Sequence, residues 1–219
     1  MSKNWVVYIS STDTLRHQRV ITRAWDGTSS AVDGKEVFDM IGSRPLQDSE
    51  IETILSNLAL LRDKTWVLIG IKCGFRISEI LSLRVENIMQ YGVVADQITV
   101  NRCNMKGKTS SRTVPLHPQA KKALEEYVST LKIVEPKTRL FPFTRSNAHK
   151  ILAKAFKQAK LMGKVSSHSL RKTYCAKVHK ALGENIFKTQ IAMGHANPGS
   201  TVHYLSFCQD EINSAILGT

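Results

Sequence analysis

Downstream of residue 48, apolar positions return with helical spacing. Ile51, Ile54, Leu55, Leu58 and Leu61 fall on one face of a 3.6-residue period. Ser49 and Glu52 have the spacing of a capping box, which places the helix start there. A buried helix is predicted over 65–72, whose apolar run is far too short to cross a bilayer. Cys73-Gly74 interrupts it, and a short helix over 76–83 turns Ile77, Ile80 and Leu81 inward. The period then changes. Residues 97–101 alternate, with Ile98 and Val100 on one face. Lys106-Gly107-Lys108 reads as a basic turn, and 113–116 as the returning strand. Pro118 opens another helix, carrying Leu124, Val128 and Leu131. Further helices are marked by Ile151, Leu152, Ala155 and Phe156, and by Leu170, Tyr174, Val178 and Leu182, stopped at Gly183. The expected fold class is mainly α with a small antiparallel β-sheet (α+β).

Before residue 44 the pattern is weak. Residues 5–9 resemble a short strand, and a polar stretch runs to Gly42-Ser43. Arg44-Pro45 marks a boundary. The chain therefore divides into an N-terminal extension (1–43), a main domain (44–208) and a C-terminal tail (209–219). Around that tail, Phe207, Ile212, Ile216 and Leu217 keep near-helical spacing.

Charge narrows the function. The 219 residues include 31 Lys+Arg against 18 Asp+Glu, a net charge of +13. Such an imbalance costs stability through self-repulsion, and its usual use is a polyanionic partner: DNA, RNA or an anionic membrane. A hydrophobic fraction of 42% is that of an ordinary folded protein and argues against disorder. The first residues lack the apolar core of a signal peptide, so the expected compartment is the cytoplasm. Cys73, Cys103, Cys175 and Cys208 form no CxxC pair. They read as reduced, mostly buried thiols rather than a zinc site.

Several side chains stand out for chemistry. Arg76, beside a buried segment, needs a partner, and Glu79 three residues on can orient it. The pair is either an ordinary ion pair or a guanidinium aimed at a phosphate, which it grips with two hydrogen bonds. His168 and Arg171 share a helix face, where they can hold an anionic oxygen and move a proton near it. Gly194-His195 forms a turn before Pro198, and Tyr204 lies nine residues after His195, on the helix that Pro198 begins.

Taken in chain order, these pieces resemble the tyrosine recombinase (phage integrase) family. The pattern is Gly-Phe-Arg76-Ile-Ser-Glu79, a lysine hairpin ending in Arg112-Thr-Val-Pro-Leu116, His168-Ser-Leu-Arg171, Gly194-His195 and Tyr204. It spans about residues 45–210, the family's catalytic domain. The resemblance implies an enzyme that cleaves and rejoins DNA at a specific site through a covalent 3′-phosphotyrosine, without metal, cofactor or ATP. Tyr204 would be the nucleophile. Arg76, Arg171 and His195 would bind the phosphate, with Glu79 behind Arg76, and His168 would hold a phosphate oxygen or assist proton transfer. Lys106 would protonate the leaving oxygen, with Lys108 as the alternative. Lys108, Arg112 and Lys172 would contact the DNA. The implied partners are double-stranded DNA, further copies of the chain (a monomer in solution, a homotetramer on DNA) and DNA-bending accessory proteins, with no membrane. The tail would dock on its own domain or on a neighbouring protomer.

One departure is visible. Family members carry a separate helical core-binding domain ahead of the catalytic one, and residues 1–43 do not read as such a domain. A type IB topoisomerase or telomere resolvase shares the tyrosine chemistry. A DNA-binding protein that keeps only the fold is the non-enzymatic alternative. The nine-residue step from His195 to Tyr204 favours the recombinase.

Overall fold

The computed structural model describes residues 42–101, 111–132, 135–205 and 216–217. The strand expected over 5–9, the hairpin lysines Lys106 and Lys108, Cys103, Cys208 and most of the tail lie outside them. The described chain is mainly helical, with two small antiparallel sheets.

The first helix follows the apolar pattern only to residue 57; Leu58 is its C-cap and Leu61 opens the next helix. Helix α1 (Asp48–Asn57) buries Ile51 and Ile54. It starts two residues before the predicted cap: Gln47 is the N-cap, and its N–H donates to Glu50 Oε2 at 2.9 Å. Helix α2 (Leu61–Cys73) is the central element, with Trp66, Val67, Ile69 and Ile71 buried. It ends on Gly74 in the left-handed region, φ +67°, a conformation that glycine adopts without strain. Helix α3 (Ile77–Ser82) follows, with Arg76 as its N-cap.

A short 3-10 turn at Val85–Asn87 leads into β1 (Met89–Gln90) and β2 (Val93–Val94). This hairpin has no counterpart in the sequence reading, because two-residue strands leave no period to detect. Strands β3 (Gln97–Val100) and β4 (Arg112–Pro115) form the expected second hairpin, in register from Gln97–Pro115 to Val100–Arg112.

Helices α4 (Pro118–Ser129), α5 (Arg145–Gln158) and α6 (Ser167–Ala181) match the apolar spacing read from the sequence. Helix α2 packs against both α4 and α6. Around it, Ile54, Trp66, Ile80, Leu124, Phe141, Leu152 and Leu170 form one continuous core. Helices α7 (Ile186–Met193) and α8 (Pro198–Val202) complete the fold. They rest on a separate small cluster of Cys175, Met193 and Leu205. Helix α8 stops at Val202, so Tyr204 lies in a turn beyond it and not within the helix as expected. No described helix is long and apolar enough to cross a membrane.

Candidate active site

The ends of four helices (α3, α6, α7 and α8) and one strand (β4) supply the site. Arg76 caps α3, where its backbone N–H donates to Glu79 Oε2 at 2.8 Å and its Nη1 to Oε1 at 2.6 Å. Glu79 is fully buried, while Arg76 keeps 24% of its side chain exposed. A buried carboxylate that grips both the backbone and the guanidinium of one residue leaves that side chain little freedom. The Arg76–Glu79 pair therefore forms as the sequence suggested.

Arg171, on the first turns of α6, is 2% exposed. Its Nη1 donates to the Gly74 carbonyl, and its Nη2 to the Met193 carbonyl at 2.7 Å. The same Nη2 lies 3.1 Å from His195 Nε2. One guanidinium thus joins the end of α2 to the end of α7. Gly74 is tightly confined here, since a Cβ on it would come within 2.1 Å of the Tyr174 ring. Burial and the neighbouring Arg76 and Arg112 push the Arg171 pKa down to about 10, which leaves it charged at neutral pH.

His195 stands between Arg171 and Tyr204. Its Nδ1 is 2.8 Å from the buried Thr201 hydroxyl, and its ring is 5.1 Å from that of Tyr204. Arginine can only donate, so Nε2 must accept and Nδ1 must carry the proton that Thr201 receives. Burial, then Arg171, Arg76 and Arg112, push the His195 pKa down to about 4, so the ring is neutral at pH 7. The Tyr204 ring also lies under Arg171, 5.7 Å from Cζ.

His168 is exposed at the start of α6, beside this group. Partial burial lowers its pKa, and Arg145, His149, Arg171 and Arg76 lower it further.

The DNA-contact candidates fare differently. Arg112 is 8% exposed and Lys172 7%, so both side chains are turned inward and not displayed on an open surface. Both positions carry a periodic signal for this. Arg112 shares its strand face with Val114, and Lys172 lies three residues from both Ser169 and Cys175, which are fully buried. Lys108 lies outside the described residues, as does Lys106. Thr201 went unnoticed in the sequence, where it shows only as a small polar residue six places after His195. Among the described residues, no three His, Cys, Asp or Glu side chains gather as metal ligands would. Cys73 and Cys175 are buried free thiols, and burial raises the pKa of both.

The cluster therefore gathers three guanidiniums, Arg76, Arg112 and Arg171, around one buried carboxylate, Glu79, with a neutral imidazole and a phenol beside them. Its charge imbalance suits an anion, and a guanidinium fork suits a phosphate.

Residues 44–209 match the family model described as the phage integrase family. A tyrosine recombinase of Pseudothermotoga lettingae is 29% identical over 176 residues, covering 78% of this chain and 59% of the relative. The tyrosine recombinase XerD of Corynebacterium glutamicum is 27% identical over 167 residues, covering 72% of the chain and 52% of that protein. The chain thus spans little more than half the length of these relatives. In fold it is similar to the XerA recombinase (TM-score 0.64, 20% identity, covering 81% of this chain and 64% of that one). It is likewise similar to the XerH site-specific recombinase bound to its palindromic difH substrate (TM-score 0.62, 19% identity, 78% and 51% covered).

Proposed function

The chain belongs to the phage integrase family, and on that premise we propose that it is the catalytic domain of a site-specific DNA recombinase working through a 3′-phosphotyrosine. The observation that carries this reading is the surplus of guanidinium charge around Glu79, set directly beside Tyr204.

In this reading the scissile phosphate of double-stranded DNA enters against Arg76 and Arg171. The Tyr204 oxygen attacks phosphorus, the bond from phosphorus to the 5′-oxygen breaks, and the 3′-phosphate stays on the tyrosine. Arg76 and Arg171 neutralise the non-bridging oxygens as charge shifts in the transition state. His168, whose pKa burial and then its cationic neighbours lower, accepts the proton of the attacking Tyr204 hydroxyl. His195 aligns Arg171, and Glu79 aligns Arg76. A hairpin lysine, Lys106 or else Lys108, gives the 5′-oxygen its proton. Reversal of the attack by another 5′-hydroxyl rejoins the strand without ATP, because the phosphotyrosine keeps the phosphodiester energy. Assembly of four copies on DNA, help from DNA-bending proteins and a DNA-associated place in the cytoplasm belong to the same proposal.

The test uses nicked duplexes tiled from the DNA flanking the gene, so that cleavage releases a short strand and cannot reverse. The expected result is an SDS-resistant protein–DNA adduct on at least one duplex, followed by strand exchange when the intact site is supplied. No adduct on any tile would contradict the reading. Relaxation of supercoiled plasmid without exchange would point to the topoisomerase alternative.

A further inference from the structure

Arg112 is a cation in a place where exposed charge was expected. It stands on β4, paired with Val100 at the last described rung of the hairpin that carries Lys106 and Lys108. Strand alternation turns it inward with Val114, and it is 8% exposed. Its Nη2 donates to the Ala192 carbonyl at 2.8 Å, near the end of α7. Its Nη1 lies 4.0 Å from Glu79 Oε2 and has no hydrogen-bond partner among the described residues. Its guanidinium also covers the ring of Phe75, 5.2 Å from the centroid, next to Arg76. Gly194 closes over it from above: with φ +62°, a Cβ there would sit 2.9 Å from Arg112 Cδ and Nε.

We propose that Arg112 is a positioning residue, a single buried guanidinium that fixes the Gly194–His195 turn against Glu79 and against the base of the basic hairpin. Three of the segments that bring site residues meet at it: Phe75 and Glu79 flank Arg76, Ala192 and Gly194 precede His195, and β4 bears the hairpin. A planar fork can address a carboxylate and a carbonyl on opposite sides, which a lysine ammonium on one flexible stem cannot do. An apolar residue would fill the space with a smaller desolvation cost. The charge is therefore kept for the geometry it imposes. The effect on cleavage rests on the proposed recombinase reading, whereas the effect on His195 does not.

The experiment compares the full chain with Arg112→Lys and Gly194→Ala. Two quantities are read: the cleavage rate on the nicked duplex that traps wild type, and the pH titration of the His195 imidazole by NMR. The groups that face His195 are Arg171, Arg76, Arg112, Thr201, Gln190 and Tyr204. Arg112→Lys keeps the charge, so any change reports geometry. The expected result is cleavage slowed about 10- to 100-fold, a scale that misplacement by an ångström can produce. DNA affinity should be unchanged, and the His195 pKa should move up from about 4. Gly194→Ala, which presses on the same guanidinium from the other side, should move His195 in the same direction. If Arg112→Lys loses its cooperative melting transition, Gly194→Ala carries the test. His195 titrations identical to wild type in the folded variants would overturn the proposal, as would wild-type cleavage by Arg112→Lys. Absence of cleavage by wild type itself would count against the functional reading alone, and the His195 titration would still decide the role of Arg112.

Discussion

The two sides of the site rest on unequal amounts of protein. Arg76 and Glu79 stand on α3, whose Ile77 and Ile80 belong to the continuous core with Ile54, Trp66, Leu124 and Phe141. Tyr204 follows α8, where the buried apolar support is Cys175, Met193 and Leu205, with Tyr174 and Ile186 against them. Helix α6 bridges the two, sending Leu170 into the large core and Cys175 into the small one, with Arg171 between. The lesson is a division of labour. The Arg76–Glu79 side is anchored, because the α3 backbone cannot move without opening the main core. Tyr204 is held by few apolar contacts and by polar ones around His195, the kind of region that opens locally at low free-energy cost.

The largest effect should come from the arginines that join the two sides. Arg171→Lys and Arg76→Lys should each slow cleavage by about 10²–10³-fold, the loss seen when one charge-stabilising donor is removed. Arg171→Lys should also disturb His195, because a lysine cannot hold Gly74, Met193 and His195 together. Single-turnover rates on a trapping duplex measure this, and near-wild-type rates would mean that the arginines serve only the fold.

Next in size is the contrast between the cores. Trp66→Ala should cost about 3–5 kcal/mol of stability, yet leave the cleavage rate of the still-folded fraction near wild type. Leu205→Ala, on the rim of the small cluster, should cost less stability and slow cleavage more. Denaturant melts and rates on the same samples compare the two. If rate follows stability identically in both variants, the two regions do not differ in the way described.

Smaller still is Thr201→Val, which keeps the shape but removes the acceptor for His195 Nδ1–H. The loss of about one hydrogen bond, 0.5–1.5 kcal/mol, corresponds to up to about tenfold in rate. Thr201→Ser should restore most of it. Equal rates for Val and Ser would remove Thr201 from the account.

The last effect concerns pH and is read in stability, not in rate. Burial and three arginines hold the folded His195 pKa at about 4, below its ordinary 6.5. Above pH 6.5 the ring is neutral folded or unfolded and contributes no pH dependence. As pH falls from 6.5 towards 4, the unfolded chain takes up a proton that the folded one refuses, so stability drops through that window and levels below it. His195→Gln should flatten this part of the stability curve, and an unchanged slope would show that other groups carry it.

The helical period of α1, α4 and α5 was readable because each buries one apolar face, and α2 was readable as a dense apolar run. The β1–β2 hairpin was not, being two residues a side. The start of α1 slipped because Gln47 is a weak capping type beside the more usual Ser49. Arg76, Glu79, Arg171, His195 and Tyr204 do converge, and motif order was enough to suggest them. The burial of Arg112 and Lys172 was not read, because charge alone speaks for the surface and only the alternation with Val114 or the helical step to Cys175 speaks against it. That Thr201 selects the His195 tautomer is a fact of three dimensions, with no trace in spacing.

The central claim is that Tyr204 is the nucleophile facing the arginine cluster. Its most direct test is to trap the covalent adduct on a nicked duplex, digest both protein and DNA, and locate the nucleotide-bearing residue by mass spectrometry. The modification is expected on Tyr204, with Tyr204→Phe forming no adduct while binding the same DNA. A modified His203 or Tyr174, or an adduct that persists in Tyr204→Phe, would contradict the account.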